Sequence, residues 1–133
     1  DQILEARGYT PEDFSDMTNG IASSTCDQPA RFDGYISAVL GHQHNIGASF
    51  RMTLNPGTTG ELILLDIPDW DFEWQFAYYP QEEIYIERDD VIRLECVWDR
   101  SLRPNNLEPS YVLWADGSND EMCFAVIMSY QKN

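Results

Sequence analysis

The sequence has few basic residues, few cysteines and no long apolar run. Eight Lys and Arg stand against 23 Asp and Glu, so the net charge is −15. This balance argues against nucleic acid or anionic membrane surfaces as partners, because an acidic protein repels phosphate groups. No apolar run approaches the roughly 18 residues of a transmembrane helix, so we expect no membrane insertion. The three cysteines allow at most one internal bridge, which excludes a dense disulfide framework.

Several motifs of common enzyme classes are also missing. The chain has no glycine-rich phosphate loop, no Gly-x-Ser-x-Gly elbow and no Cys-x-x-Cys-His haem site. What it does have is 133 residues, of which 43% are hydrophobic. That is enough apolar side chain for one folded domain with a core, and it excludes intrinsic disorder.

Short apolar segments broken by turn residues predict an all-β, antiparallel sandwich. Residues 1–20 differ, since Thr10 followed by Pro11 is typical of a helix start. We therefore expect an N-terminal extension over residues 1–20 with a short helical segment, followed by the sandwich domain over residues 21–133. The predicted strands cover residues 34–45, 48–54, 61–67, 70–76, 82–87, 91–98 and 122–130.

The two histidines of the chain, His42 and His44, lie two residues apart in a predicted strand. Residues at this spacing leave the same face of a strand, so two imidazoles project side by side, as metal ligands do. Two histidines that merely alternate along a solvated strand would give the same pattern. A carboxylate as third ligand would favour zinc, whereas a thioether would favour copper. The candidate thioethers are Met17, Met52, Met122 and Met128, although methionine more often fills a core.

Cys96 lies in a predicted strand, and Cys123 begins another directly after Met122. A bridge between them would close a loop of 27 residues and stabilise the fold by roughly 3–4 kcal/mol on the chain-entropy model. Such a bridge would also restrict the position of Met122, because Met122 directly precedes Cys123. Two buried free thiols are the alternative.

Taken together, these motifs resemble the copper type II, ascorbate-dependent monooxygenases, which include peptidylglycine α-hydroxylating monooxygenase and dopamine β-monooxygenase. The similarity is to the second, C-terminal catalytic domain of that family. It rests on HQHNIG at residues 42–47, EMCFAVIMSY at residues 121–130, DDVIRLEC at residues 89–96 and DFEWQ at residues 71–75. It covers roughly residues 21 to 130.

The resemblance implies a nine-stranded, jelly-roll-like sandwich in which His42, His44 and Met122 hold one catalytic copper ion. It also implies a disulfide between Cys96 and Cys123. In the family, copper, dioxygen and a reductant such as ascorbate hydroxylate an activated C–H bond. The disulfide implies a secreted, extracellular or periplasmic protein.

The chain departs from the family in two respects. The family's first domain, which relays electrons through a copper held by three histidines, is not in this sequence. We expect this electron-donor domain to lie elsewhere in a longer polypeptide or on a partner protein, or to be absent. Residues that bind a peptide carboxylate in the peptide-processing member are replaced here by Leu40, Phe124 and Val126. These three would line an apolar substrate pocket for a small molecule, and we do not expect peptide amidation. Cys26 is predicted to be free or paired outside this segment.

Three other functions fit parts of the sequence. A copper-storage or electron-transfer module would keep the same ligands without a substrate. A carbohydrate-binding sandwich would use exposed aromatic rings, with candidates Trp70, Trp74, Tyr78, Tyr79, Trp98 and Trp114, although core packing explains most of these better. Two acidic stretches, Asp66, Asp69 and Asp71, and Asp116, Ser118 and Asp120, suggest calcium, but neither has a full loop pattern and we interpret both as turns.

Overall fold

The computed structural model describes residues 20–103 and 114–132 of the chain. These residues form seven β-strands and one 3-10 turn (Arg100–Leu102), which follows directly on the sixth strand. The strands are β1 (Ile21–Pro29), β2 (Gly34–His42), β3 (Gly47–Leu54), β4 (Leu62–Ile67), β5 (Tyr85–Ile86), β6 (Val91–Asp99) and β7 (Phe124–Tyr130). The prediction of an all-β protein is therefore confirmed. The family's count of nine strands and the division of the chain at residue 20 stay predictions.

The strands make two antiparallel sheets that form a sandwich. One sheet has the order β1-β6-β3-β4, and the other has the order β5-β2-β7. Strands β2 and β7 pair over most of their length although they lie far apart in sequence. This pairing brings the end of β2 next to the beginning of β7, where the two sequence motifs meet.

Several segments differ from the prediction. The strand predicted over residues 34–45 ends at His42, and the strand predicted over residues 122–130 begins at Phe124, so His44 and Met122 lie just outside β2 and β7.

Residues 70–76 are wrongly predicted as a strand, because the Asp71 side chain accepts a hydrogen bond from the backbone N–H of Glu73, and its carbonyl accepts one from Trp74. Aspartate competes for backbone donors in this way and favours a turn. Strand β1 was missed because all nine of its residues are exposed, so its sequence has no apolar alternation. The predicted N-terminal helix lies outside the described residues.

The core between the sheets is built from side chains that point inward from both. Phe50, Met52, Ile86 and Cys96 are completely buried. Met52 is thus a core residue, as methionine usually is. Gly41 on β2 faces Phe50 so closely that a Cβ at this position would lie 2.6 Å from two of its ring carbons. The glycine therefore lets the smaller sheet approach the larger one.

The two faces of the β2–β7 pair have different surroundings. Val39 and its cross-strand partner Ile127 belong to the face that packs on the core. Leu40 and its partner Val126 belong to the opposite face, since side chains alternate along a strand. His42 lies two residues beyond Leu40, so its ring leaves this outer face.

No helix within the described stretches 20–103 and 114–132 combines the length and the apolar character needed to cross a lipid bilayer.

Candidate metal centre

The rings of His42 and His44 lie side by side at the end of β2. Their centroids are 4.9 Å apart, and the ring planes are inclined by 77°. His44 is only 4% exposed, whereas His42 is half-buried. The two imidazoles are neighbours, as the sequence predicted, but β2 ends at His42, so His44 lies just beyond the strand and not within it.

The orientation of the His44 ring is fixed from the turn that precedes β7. Its Nδ1 lies 3.1 Å from the carbonyl oxygen of Asp120. A carbonyl can only accept a hydrogen bond, so Nδ1 carries the proton and donates it. In the neutral ring Nε2 then has no proton and offers its lone pair. This is how a metal-binding histidine is commonly held, with its other nitrogen bonded to a carbonyl.

His42 is oriented in the same way by Gln75. Its Nδ1 lies 2.5 Å from Oε1 of Gln75. The amide of Gln75 is itself oriented, because its Nε2 donates a 2.7 Å hydrogen bond to the carbonyl oxygen of Phe72. Oε1 is therefore the acceptor and Nδ1 of His42 is the donor, which again leaves Nε2 as the unprotonated nitrogen. The Phe72 ring also makes an edge-on contact with His44 at 6.0 Å between centroids.

The carboxylate of Glu121 connects the beginning of β7 to the end of β2. Its Oε2 accepts hydrogen bonds from the backbone N–H of His44 at 3.0 Å and from the indole N–H of Trp98 at 2.9 Å. Its Oε1 accepts one from the backbone N–H of Ile46 at 2.9 Å. Glu121 is 6% exposed. These bonds hold the segment that carries Met122 against the segment that carries His44.

Met122 is half-buried and lies between two anchored residues. Glu121 precedes it, and Cys123, which follows it, forms a disulfide with Cys96 with 5.9 Å between the Cα atoms. The disulfide implied by the resemblance is therefore confirmed. Cys26 is a free, exposed cysteine.

The three residues predicted to line an apolar pocket share the outer face of the smaller sheet with His42. Leu40 pairs with Val126, and His42 pairs with Phe124, across β2 and β7. Leu40 and Val126 are half-buried, and Phe124 is 50% exposed. Directly paired residues of an antiparallel ladder project from the same face, so these apolar side chains lie beside the histidine.

The two acidic stretches considered for calcium have other partners. Asp66 forms an exposed ion pair with Arg51 at 3.0 Å, and Asp71 accepts the turn hydrogen bond from Glu73. In the second stretch, the carbonyl oxygen of Ser118 accepts a hydrogen bond from the N–H of Asn45. This stretch is thus a turn that docks on the histidine segment, as we interpreted it.

Several of the aromatic side chains considered for sugar stacking within residues 20–103 and 114–132 are inclined to their neighbours or bonded elsewhere. Trp74 and Phe76 are both exposed, but their planes are inclined by 73°. Trp98 donates its indole N–H to Glu121, and Trp70 packs against Phe50 with 6.2 Å between ring centroids. Trp114 is 71% exposed and Tyr79 is 75% exposed.

The chemistry of the available donors favours copper over zinc. Within residues 20–103 and 114–132, no three His, Cys, Asp or Glu side chains come together as they do in a zinc site. The third ligand that the family resemblance implies is the thioether of Met122, which directly follows Glu121. Two imidazoles and a thioether suit copper, and the soft sulfur favours the reduced ion. The residues present thus fit a copper ion.

Two residues of the site were not assigned a role from the sequence. Gln75 orients His42, and Glu121 ties the two segments together. Both lie within stretches that carry the family resemblance, DFEWQ and EMCF. The resemblance was the available signal, but nothing in the sequence alone shows which backbone or ring nitrogen each side chain reaches.

The fold and the paired histidines define an antiparallel β-sandwich with a candidate copper centre at one end of its smaller sheet. Residues 10–133 match the family model for the copper type II ascorbate-dependent monooxygenase, C-terminal domain, and the chain belongs to this family. Among the curated proteins compared with it, none matches the chain.

Proposed function

We propose that this chain binds one copper ion through His42, His44 and Met122 and hydroxylates an activated C–H bond of a small substrate. The observation that carries the proposal is the pair of neighbouring rings, both of which donate from Nδ1 and so keep Nε2 for a metal. Membership of the copper monooxygenase family supports the choice of metal. When bound, copper supplies the one-electron redox chemistry and the activation of dioxygen on which such a hydroxylation depends.

The protein's own residues prepare the site. Gln75 and the carbonyl of Asp120 hold the two rings in a fixed tautomer and orientation, which raises the basicity of Nε2. The thioether of Met122 is a weaker ligand that favours the reduced state of the ion. Both effects serve a site that alternates between two oxidation states.

The substrate that fits this site is apolar and does not present a carboxylate. Leu40, Phe124 and Val126 contribute hydrocarbon to the face next to His42, and the net charge of −15 disfavours anions. We therefore propose a small-molecule substrate rather than the C-terminus of a peptide. Ascorbate or another reductant would supply electrons through a donor domain or protein, in the oxidising secretory, extracellular or periplasmic environment with which the Cys96–Cys123 disulfide is consistent.

Anaerobic titration with Cu(I) against a competing chelator tests the ligand set. The wild-type chain should bind one equivalent, and His42→Ala or His44→Ala should remove tight binding. Met122→Ala should weaken Cu(I) more than Cu(II), because sulfur prefers the reduced ion. Met128→Ala is the matched control, since Met128 is another methionine of the same segment, lies on β7 six residues after Met122 and is 51% exposed; it should leave both affinities unchanged. Unchanged copper stoichiometry in either histidine variant would contradict the proposal.

Oxygen consumption separates an enzyme from a passive copper protein. The copper-loaded chain should consume dioxygen with ascorbate when an apolar C–H substrate is present, and His44→Ala should not. Tight copper binding without oxygen uptake, also with an added electron-donor domain of this family, would instead assign the chain to copper storage or electron transfer.

A further inference from the structure

We propose that Glu121 is a positioning residue that sets the Met122 thioether relative to the two histidines. This inference rests on the proposed copper function. In this proposal, Glu121 touches neither the copper ion nor a substrate. It acts by holding the backbone of His44 and of Met122.

Three hydrogen bonds reach Glu121 from two separate parts of the chain, the connection between β2 and β3 and the strand β6. The N–H of His44 lies beyond the end of β2, the N–H of Ile46 lies just before β3, and the indole of Trp98 lies on β6. The N–H of Met122 itself is 3.3 Å from Oε2. One carboxylate thus fixes the backbone on both sides of the site, at a proposed histidine ligand and at the proposed sulfur ligand.

A carboxylate is the one side chain that satisfies this set of donors. An ionised carboxylate only accepts, and its two oxygens offer about four lone-pair sites. In glutamine, one oxygen would become an NH₂ group that faces an N–H donor of the protein. Glu121→Gln therefore keeps the size of the side chain but converts at least one attraction into a repulsion.

Glu121 directly precedes Met122, so its hydrogen bonds act on the backbone beside the proposed sulfur ligand. Met122 is held on its other side by Cys123, through the disulfide to Cys96. The disulfide connects Met122 to β6, whereas Glu121 connects it directly to His44 and Ile46. Without the Glu121 bonds, the segment before Met122 would still reach the histidine segment through the Asp120 carbonyl at His44 and the Ser118 carbonyl at Asn45. These bonds lie two and four residues before Met122, so they would hold the position of Met122 less tightly.

The test compares three variants by Cu(I) affinity and by the Cu–S signal in X-ray absorption. Glu121→Gln should lower Cu(I) affinity by about 10- to 100-fold, as removal of an outer hydrogen-bond partner does, and should weaken the Cu–S signal while the Cu–N signal persists. Trp98→Phe removes one donor but leaves the bonds to His44 and Ile46, so it should lower stability and keep the Cu–S signal. Glu82→Gln, which neutralises an exposed carboxylate, should match the wild type.

The outcomes distinguish this inference from the proposed function. A wild-type Cu–S signal that Glu121→Gln leaves intact would overturn the positioning role and leave the copper site standing. A wild-type chain that binds no Cu(I) would overturn both. If Glu121→Gln does not fold, Glu121→Asp takes its place, because the shorter carboxylate cannot reach all its donors at once. An unchanged Cu–S signal in Glu121→Asp would then overturn the positioning role.

Discussion

Two regions of the molecule differ in how firmly they are held: the end of the smaller sheet that carries His42 and His44, called the copper end, and strand β1 at the edge of the larger sheet, called the β1 edge. Carboxylates make hydrogen bonds in both, but they are buried at the copper end and exposed at the β1 edge. At the copper end, Glu121 is 6% exposed and bonds several N–H groups, and a disulfide follows two residues later. At the β1 edge, Asp27 and Arg93 form an ion pair at 2.7 Å, but all of β1 is exposed. Because water competes at the surface, short distances alone do not make an edge rigid. The site lies where the chain is fixed by buried and covalent bonds.

The largest effect should follow removal of the disulfide at the copper end. We expect the double variant Cys96→Ala, Cys123→Ala to lose about 3.5 kcal/mol of unfolding free energy on the chain-entropy model, because the bridge closes a long loop. Urea denaturation of the metal-free protein measures this loss. Cys26→Ala at the exposed β1 edge should be close to neutral. If both variants lost a similar free energy of unfolding, the copper end would not be held more firmly than the β1 edge.

A smaller effect should follow Gly41→Ala, which tests how tightly the sheets pack beneath the histidines. The new methyl group would lie 2.6 Å from ring carbons of the buried Phe50, and overpacking of this kind costs about 1–3 kcal/mol. Because Gly41 precedes His42, Cu(I) affinity should fall as well. A methyl group at Gly60 would lie 3.7 Å from Thr58 Oγ1, an ordinary contact distance, so Gly60→Ala is the control. Equal unfolding midpoints in urea for both variants would show that Phe50 moves aside.

The smallest effect should come from the Asp27–Arg93 pair at the β1 edge. The hydrogen bond from Arg93 lowers the pKa of Asp27, and this outweighs the opposing effect of desolvation. A carboxyl whose pKa is lower in the folded protein stabilises the fold above its unfolded pKa of about 3.9. That stabilisation is lost as the pH falls through the folded pKa. Asp27→Asn should therefore flatten the acid side of the melting-temperature profile slightly, and added salt should reduce the difference. A large, salt-independent change would show that the β1 edge is as firmly held as the copper end.

Much of the fold follows from local sequence patterns. The strands β2 to β7 each overlap a predicted strand, because each has apolar alternation or an apolar run between turn residues. Residues 70–76 are rich in aromatic side chains, as strands often are, but they form turns. The reason is that the Asp71 carboxylate accepts a hydrogen bond from the backbone N–H of Glu73. Strand β1 has no apolar pattern and forms because β6 offers an open edge with which it pairs over nine residues. Pairing with a distant strand is not visible in a local window.

The candidate site was predictable to a similar degree. The sequence predicted neighbouring rings at His42 and His44, but β2 ends at His42 and the His44 ring is held by the carbonyl of Asp120. The Cys96–Cys123 pairing followed from the resemblance. The roles of Met122 and of the pocket residues Leu40, Phe124 and Val126 stay predictions. The roles of Gln75 and Glu121 could not be assigned in advance, because each depends on which distant nitrogen atom its side chain reaches.

By itself, the sequence determined that the chain is an acidic β-protein and that two histidines lie close together along it, since composition and sequence spacing are local properties. Only the tertiary structure decided that a turn 76 residues further on supplies the carbonyl for His44 and that Glu121 joins the two segments. Hydrogen bonds between segments far apart in sequence exist only once the sheets have packed, because packing sets the register that brings their atoms within reach.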